Sequence, residues 1–159
     1  ATGMEVDGRP AHVVAAGYGP GAFAIRRQAR ELGLGSRVTV TSLVADVEAL
    51  FATIDVFVSP RTRDWFGAPI LAAQAAGRPV VTTGVGAAFA LVTEGVNGRF
   101  VPAGDPAALA SAVSSLLGDP DAAARMGREA RRMVAERRSA ATAAERTEVV
   151  YREVLSDGG

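Results

Sequence analysis

His12-Val13-Val14-Ala15-Ala16-Gly17-Tyr18-Gly19-Pro20-Gly21 is a short apolar run closed by a glycine turn, and apolar positions then recur with helical period at Phe23, Ile25, Ala29 and Leu32 up to Gly33. The stretch reads as strand, glycine turn, helix. Working outward, Arg37 to Thr41 (RVTVT) alternates as a second strand, Asp46 opens a short helix through Leu50, and Asp55 to Ser59 (DVFVS) is a third strand. Pro69 suits the first turn of a helix that runs to Ala76 and stops at Gly77. Pro79 to Thr82 (PVVT) makes a fourth strand. Gly84 to Gly98 is glycine-rich around the apolar patch Phe89 to Val92, and Arg99 to Val101 (RFV) supplies a fifth strand. Strands alternating with helices at this spacing predict an α/β fold, a doubly wound, Rossmann-like parallel sheet of about five strands.

The last third is helical. Asp105 and Asp119 are each followed by proline, a cap and a first-turn residue, and Leu109, Val113, Leu116 and Leu117 share one face of the first helix. On the second, Met126, Ala130, Met133 and Val134 share a face opposite Arg125, Arg128, Arg131 and Arg132, which reads as a solvated surface. A final helix from about Ala140 to Leu155 carries Val149, Val150, Tyr151, Val154 and Leu155.

The chain has 159 residues, and no repeat or linker interrupts it, so residues 1–159 are expected to form one domain. Apolar residues make up 48% and charged ones 21%, which excludes disorder, while 17 basic against 17 acidic residues leave no bulk charge to favour nucleic acid. With no cysteine there is neither disulfide, thiolate zinc site nor cysteine nucleophile. Every base is arginine, so a Walker lysine, a Schiff-base lysine and a lysine general base are all excluded. The single histidine, His12, cannot build a multi-histidine metal site and reads as an exposed strand end; no metal is expected. No apolar run is long enough to span a membrane and no leader pattern is seen, so the expectation is a cytoplasmic protein.

In doubly wound sheets ligands bind beyond the carboxyl ends of the strands. The loops Gly17 to Gly21, Thr41 to Val44 (with Ser42), Ser59 to Gly67 and Thr82 to Ala88 (with Gly84 and Gly86) should therefore form one rim. Helices that begin just after Gly19 and Gly67 offer backbone N–H groups to a phosphate without any lysine.

Val13 to Pro20 (VVAAGYGP), Gly33 to Val40 (GLGSRVTV), Val56 to Gly67 (VFVSPRTRDWFG), Ala75 to Val81 (AAGRPVV), Glu94 to Gly98 (EGVNG) and Val101 to Leu109 (VPAGDPAAL) together resemble, in order and spacing, the C-terminal domain of retaining glycosyltransferases of the two-domain GT-B type. The resemblance covers about residues 10 to 155. It implies a nucleoside-diphosphate sugar bound here as donor substrate, with no further cofactor, and an acceptor held by an N-terminal Rossmann-like domain. The family's first acid, near the donor sugar, falls on Asp64, and the amides of Gly67 and Ala68 fall where the diphosphate binds. Gly17, Gly19, Ser42, Phe66, Gly84 and Gly86 complete the donor rim. Arg61 and Arg63, on the same loop, are placed to replace a basic pair that the family carries in a preceding strand–helix unit, for which this chain offers only Ala1 to Pro10. The family's second acid, which holds ribose hydroxyls, falls on Ala72, and a third falls on Ala90. The missing carboxylate removes about 1.5–3 kcal/mol of ribose binding.

The lost strand would lie in the middle of a sheet ordered 3-2-1-4-5-6. If the gap closes, the remaining strands take the order 2-1-3-4-5; if it stays open, strand edges are left unpaired. The resemblance thus favours the donor-binding half of a transferase, completed by an N-terminal domain or partner subunit through which any peripheral membrane contact would come. The alternative is a catalytically silent interaction or nucleotide-binding module, favoured by Ala72 and Ala90; a flavodoxin-like protein binding a phosphate at Gly17 to Gly21, with Trp65 near the rim, is a third. The apolar stripe on the last helix and any open strand edge predict a homodimer.

Overall fold

A computed structural model describes residues 5–156 except 7–8, 18, 43, 45, 64–65 and 139. The order is β1 (Glu5–Val6), β2 (Arg9–Pro10), β3 (Val13–Ala16), α1 (Pro20–Glu31), β4 (Val38–Thr41), α2 (Val47–Thr53), β5 (Phe57–Ser59), α3 (Ala68–Ala75), β6 (Val80–Thr83), α4 (Ala88–Leu91), β7 (Gly98–Val101), α5 (Pro106–Leu117), α6 (Pro120–Arg137) and α7 (Ala140–Ser156). All five expected strands form, and all are parallel within their ladders. They do not join into a single 2-1-3-4-5 sheet. β3 pairs with β4, β5–β6–β7 form a separate sheet, and β1 pairs antiparallel only with β2, so nothing among the described residues closes the gap. Of the expected filler Ala1 to Pro10, the described residues 5–6 and 9–10 do not supply the missing strand, because β1 pairs with β2 and sits against α5; residues 1–4 and 7–8 lie outside the described residues.

The core lies around β6, whose four residues are all buried. Val80 faces a cluster with Phe51, Ile70, Ala73, Ala88, Leu91 and Val92, while Val81 faces one with Val101, Leu116 and Met126, as alternation along a strand requires. Two buried amides tie the surrounding loops: Gln74 Nε2 and Asn97 Nδ2 each donate to the Leu91 carbonyl at 2.9 Å, and Asn97 Oδ1 accepts from the Thr93 N–H at 2.7 Å. Arg78 donates through Nε to the Phe51 carbonyl at 3.0 Å and through Nη2 to that of Ala52 at 2.6 Å, capping the end of α2.

The β3–α1–β4 unit is much less covered. Of the α1 residues with helical apolar period only Ala29 is buried, while Phe23 and Leu32 stand 72% and 54% exposed. α6 behaves as its pattern predicts, with Met126 and Ala130 inside and Arg132 outside, bridging Glu129 and Glu136. The hydrogen bond from Arg132 holds the Glu129 carboxyl below its ordinary range. His12 is an exposed strand end, with Nε2 2.8 Å from Thr39 Oγ1. Among the described residues no helix is long and apolar enough to cross a membrane.

Candidate functional site

The carboxyl ends of β5 and β6 and the start of α3 frame a depression, open to solvent and lined by Ser59, Arg61, Gly67, Pro69, Ile70, Thr82, Val85 and Ala88. Its floor is fixed by strand-end hydroxyls. Thr82 Oγ1 lies 3.1 Å from the Ser59 carbonyl that it can donate to, and Thr83 Oγ1 donates to the carbonyl of Arg61, so β6 anchors the loop that leaves β5.

Gly67 closes the site from below. It caps α3 in the left-handed region (φ 75°), where a Cβ would collide with Leu91 Cδ1 and stand 3.2 Å from Ala87 Cβ, so only glycine lets this loop descend onto α4. The N-cap Gly67 has no side chain to cap α3, and at its start a backbone bond runs from Leu71 N–H to the Gly67 carbonyl at 3.1 Å. The N–H groups of Ala68 and Ile70 belong to the first turn, which has no intrahelical acceptor for them, at the positive end of the helix dipole, while Pro69 has none to waste. Arg61 is the one charged side chain on the lining among the described residues. Amide donors, a guanidinium and a hydroxyl-bearing floor suit an anionic, oxygen-rich ligand.

Arg61 and Gly67 thus come together as the sequence predicts, with Ala68 at the helix start. Gly84 and Gly86 lie in the turn that brings Val85 and Ala88 to the site; this turn is set by Val85 N–H to Thr83 carbonyl (2.9 Å) and Ala88 N–H to Val85 carbonyl (3.1 Å). Arg63 is exposed on the same loop and Phe66 is 96% exposed beside Gly67, neither on the lining. Asp64 and Trp65 lie outside the described residues. Gly17, Gly19 and Ser42 sit at the ends of β3 and β4, on the other sheet and away from the depression; Gly17 N–H donates to the Thr41 carbonyl at 2.9 Å. Ser59, Thr82, Val85 and Ala88 lie in the two rim loops expected from the sequence, whereas Pro69 and Ile70, inside α3, were not expected in the site. A hydroxyl residue ending each of two apolar strands is the signal that marks Ser59 and Thr82. Ala72 packs against the core, and Ala90 is exposed, its carbonyl accepting from Arg138 Nη2 at 2.7 Å.

The sequence model described as "Glycosyl transferases group 1" matches residues 4–119. An alpha-D-kanosaminyltransferase from Streptomyces kanamyceticus is 29% identical over 149 residues, a match covering 92% of this chain and 39% of that protein. The structure of Alr3699/HepE from Anabaena in complex with UDP superimposes with a TM-score of 0.81 at 26% identity, over 92% of this chain and 41% of that one. The C-terminal domain of a glycosyl transferase group 1 protein (LpcC) from Francisella tularensis shares the fold, with a TM-score of 0.69 at 19% identity over 74% of this chain and 62% of the other. The chain thus spans about two fifths of the length of the first two relatives.

Proposed function

Because the chain belongs to the group 1 glycosyl transferases, we propose that it is the donor-binding half of an enzyme that moves a sugar from a nucleoside diphosphate to an acceptor with retention of configuration, the acceptor being held by a second Rossmann-like domain or a partner subunit. The observation that carries this reading is the meeting of Arg61, the first turn of α3 and the hydroxyl-anchored floor in one depression at the strand ends. A diphosphate laid there gains charge-assisted bonds from Arg61 and from the amides of Ala68 and Ile70, together with the helix dipole. That the Anabaena relative was solved with UDP supports the choice of ligand. In this reading Asp64 stands near the donor sugar and Arg63 adds a second positive charge beside the diphosphate, while the glycine loops after β3 and β6 line the cleft.

Ribose recognition is the weak half. Ala72 offers no acceptor to the ribose hydroxyls, which costs about 1.5–3 kcal/mol and weakens binding by roughly 10- to 150-fold. Calorimetry of the chain with UDP and with GDP tests the reading. Weak binding of one nucleotide is expected, further weakened by Arg61→Ala and tightened by Ala72→Glu; no heat with either nucleotide, in both the parent chain and Ala72→Glu, overturns it. The silent-module reading rests on the same alanine and on Ala90. It is favoured instead if Ala72→Glu leaves UDP binding unchanged. Transfer itself needs two cleft walls, so the isolated chain is expected to turn over no sugar nucleotide onto an added acceptor beyond slow hydrolysis.

A further inference from the structure

α4 is a single helical turn, and one turn fixes several residues for very few bonds, so it does not hold itself. Side-chain donors from elsewhere in the chain hold its last carbonyls. Gln74 on α3 and Asn97 ahead of β7 both donate to the Leu91 carbonyl at 2.9 Å, and Arg138 at the end of α6 donates to that of Ala90 at 2.7 Å. Gln74 is 1% exposed and lies one helical turn after Ile70 on the same face of α3. Ile70 lines the candidate depression from α3 and Ala88 lines it from α4, so the bond from Gln74 to Leu91 joins the two elements that wall it. Leu91 carries the constraint to the loop end. Its Cδ1 fills the space where a Cβ on Gly67 would stand, so the turn into α3 rests on α4.

We propose that Gln74 is a positioning residue for this depression: by tying α4 to α3 it holds the Gly67 turn and the Val85–Ala88 turn at the spacing a diphosphate needs. The proposal rests on the donor-binding reading and deepens it. Two amides share one acceptor, but they do different things. Asn97 follows Leu91 by only six residues and its Oδ1 also accepts from Thr93, so it fastens α4 to the loop that leaves it. Gln74 precedes Leu91 by 17 residues and stands on the opposite wall, so its bond sets the distance between the walls. Removing Gln74 also leaves no orphaned carbonyl, because Asn97 still donates to Leu91. What is lost is the registration of α4 against α3. A site whose walls are correctly spaced for only a fraction of the time has its affinity lowered by that fraction.

Calorimetry with UDP on the parent chain, Gln74→Leu and Gln74→Glu, at temperatures well below each unfolding midpoint, is the test. Gln74→Leu removes the donor and is expected to weaken UDP binding about fivefold. A residue that served stability alone would lower the midpoint and leave the affinity of the folded chain unchanged. Gln74→Glu adds a pH signature. A protonated carboxyl donates to the Leu91 carbonyl as the amide does, whereas a carboxylate has no donor and repels it. Burial raises the pKa of that carboxyl, so binding relative to the parent at the same pH is expected to be near parental at about pH 5 and to fall as the pH rises toward about 8. Should one variant fail to fold by circular dichroism, the other decides. Unchanged UDP affinity in folded Gln74→Leu, or a pH profile of Gln74→Glu parallel to the parent's, overturns the proposal and leaves the donor-binding reading standing. No heat from either the parent chain or Ala72→Glu overturns both.

Discussion

At Gly127 the backbone of α6 runs directly onto the turn after α3: a Cβ would collide with the Gly77 carbonyl and stand 3.5 Å from Pro79 Cδ. Because the obstruction is backbone, it cannot rotate away, and α6 must lift off α3. Gly127→Ala is therefore expected to lower stability by about 1–3 kcal/mol in urea unfolding, although alanine is the better helix former by about 1 kcal/mol. An unchanged midpoint would show that α6 is free to shift. In the sequence Gly127 looks like a flaw in a strong helix, and its purpose is invisible because the partner that demands it lies fifty residues away. Gly67 is the opposite case: a glycine directly before Ala-Pro reads locally as a turn into a helix, and the structure adds the left-handed backbone and the closeness of Ala87 and Leu91 that together require it.

The elements that were legible are those whose signals are local. Asp46, Asp105 and Asp119 cap α2, α5 and α6, accepting from Ala49, Ala108 and Ala122 N–H at 2.8, 2.9 and 2.9 Å, and the last two are followed by proline at the helix start. Asp119→Ala is expected to cost about 1 kcal/mol, read as a lower thermal midpoint, with Asp119→Asn retaining most of the stability; equal losses in the two variants would argue against capping. The short α4 was missed because four residues, Ala88–Leu91, make a single turn with no period to detect. The β1–β2 hairpin was missed because two-residue strands have no alternation. α1 shows the converse failure. Its apolar period gives the helix correctly but not its burial, because what a helix face covers depends on neighbours that local sequence does not specify. The site follows the same rule. Gly67, Arg61 and Thr82 were found through rim loops, whereas Ile70 enters it only because α3 packs against the ends of β5 and β6.

For the molecule as a whole, burial divides the chain unevenly. β6 is buried throughout and sits between two apolar clusters, whereas β3, α1 and β4 contribute only Ala29 and, beside them, Leu34 to the buried set. Opening free energy follows buried contact, so native-state hydrogen exchange should show the amides of Val80–Thr83 opening only with global unfolding, and those of α1 opening earlier by local unfolding. Uniform protection across both would contradict that division. The family resemblance placed the gap between β3 and the β5–β6–β7 sheet, as the two separate sheets show, but whether it closes depends on packing between elements far apart in sequence. The same division acts on the growing chain as it leaves the ribosome. β3 and β4 emerge well ahead of Met126 and Ala130, which are buried in the core and follow more than a hundred residues behind β3. At roughly 5–20 residues per second that interval is on the order of 6 to 20 s. Throughout it the nascent chain presents an uncharged, half-bonded strand before the core around β6 can exist, which makes β3 and β4 a segment that a holding chaperone would meet in an unfinished state.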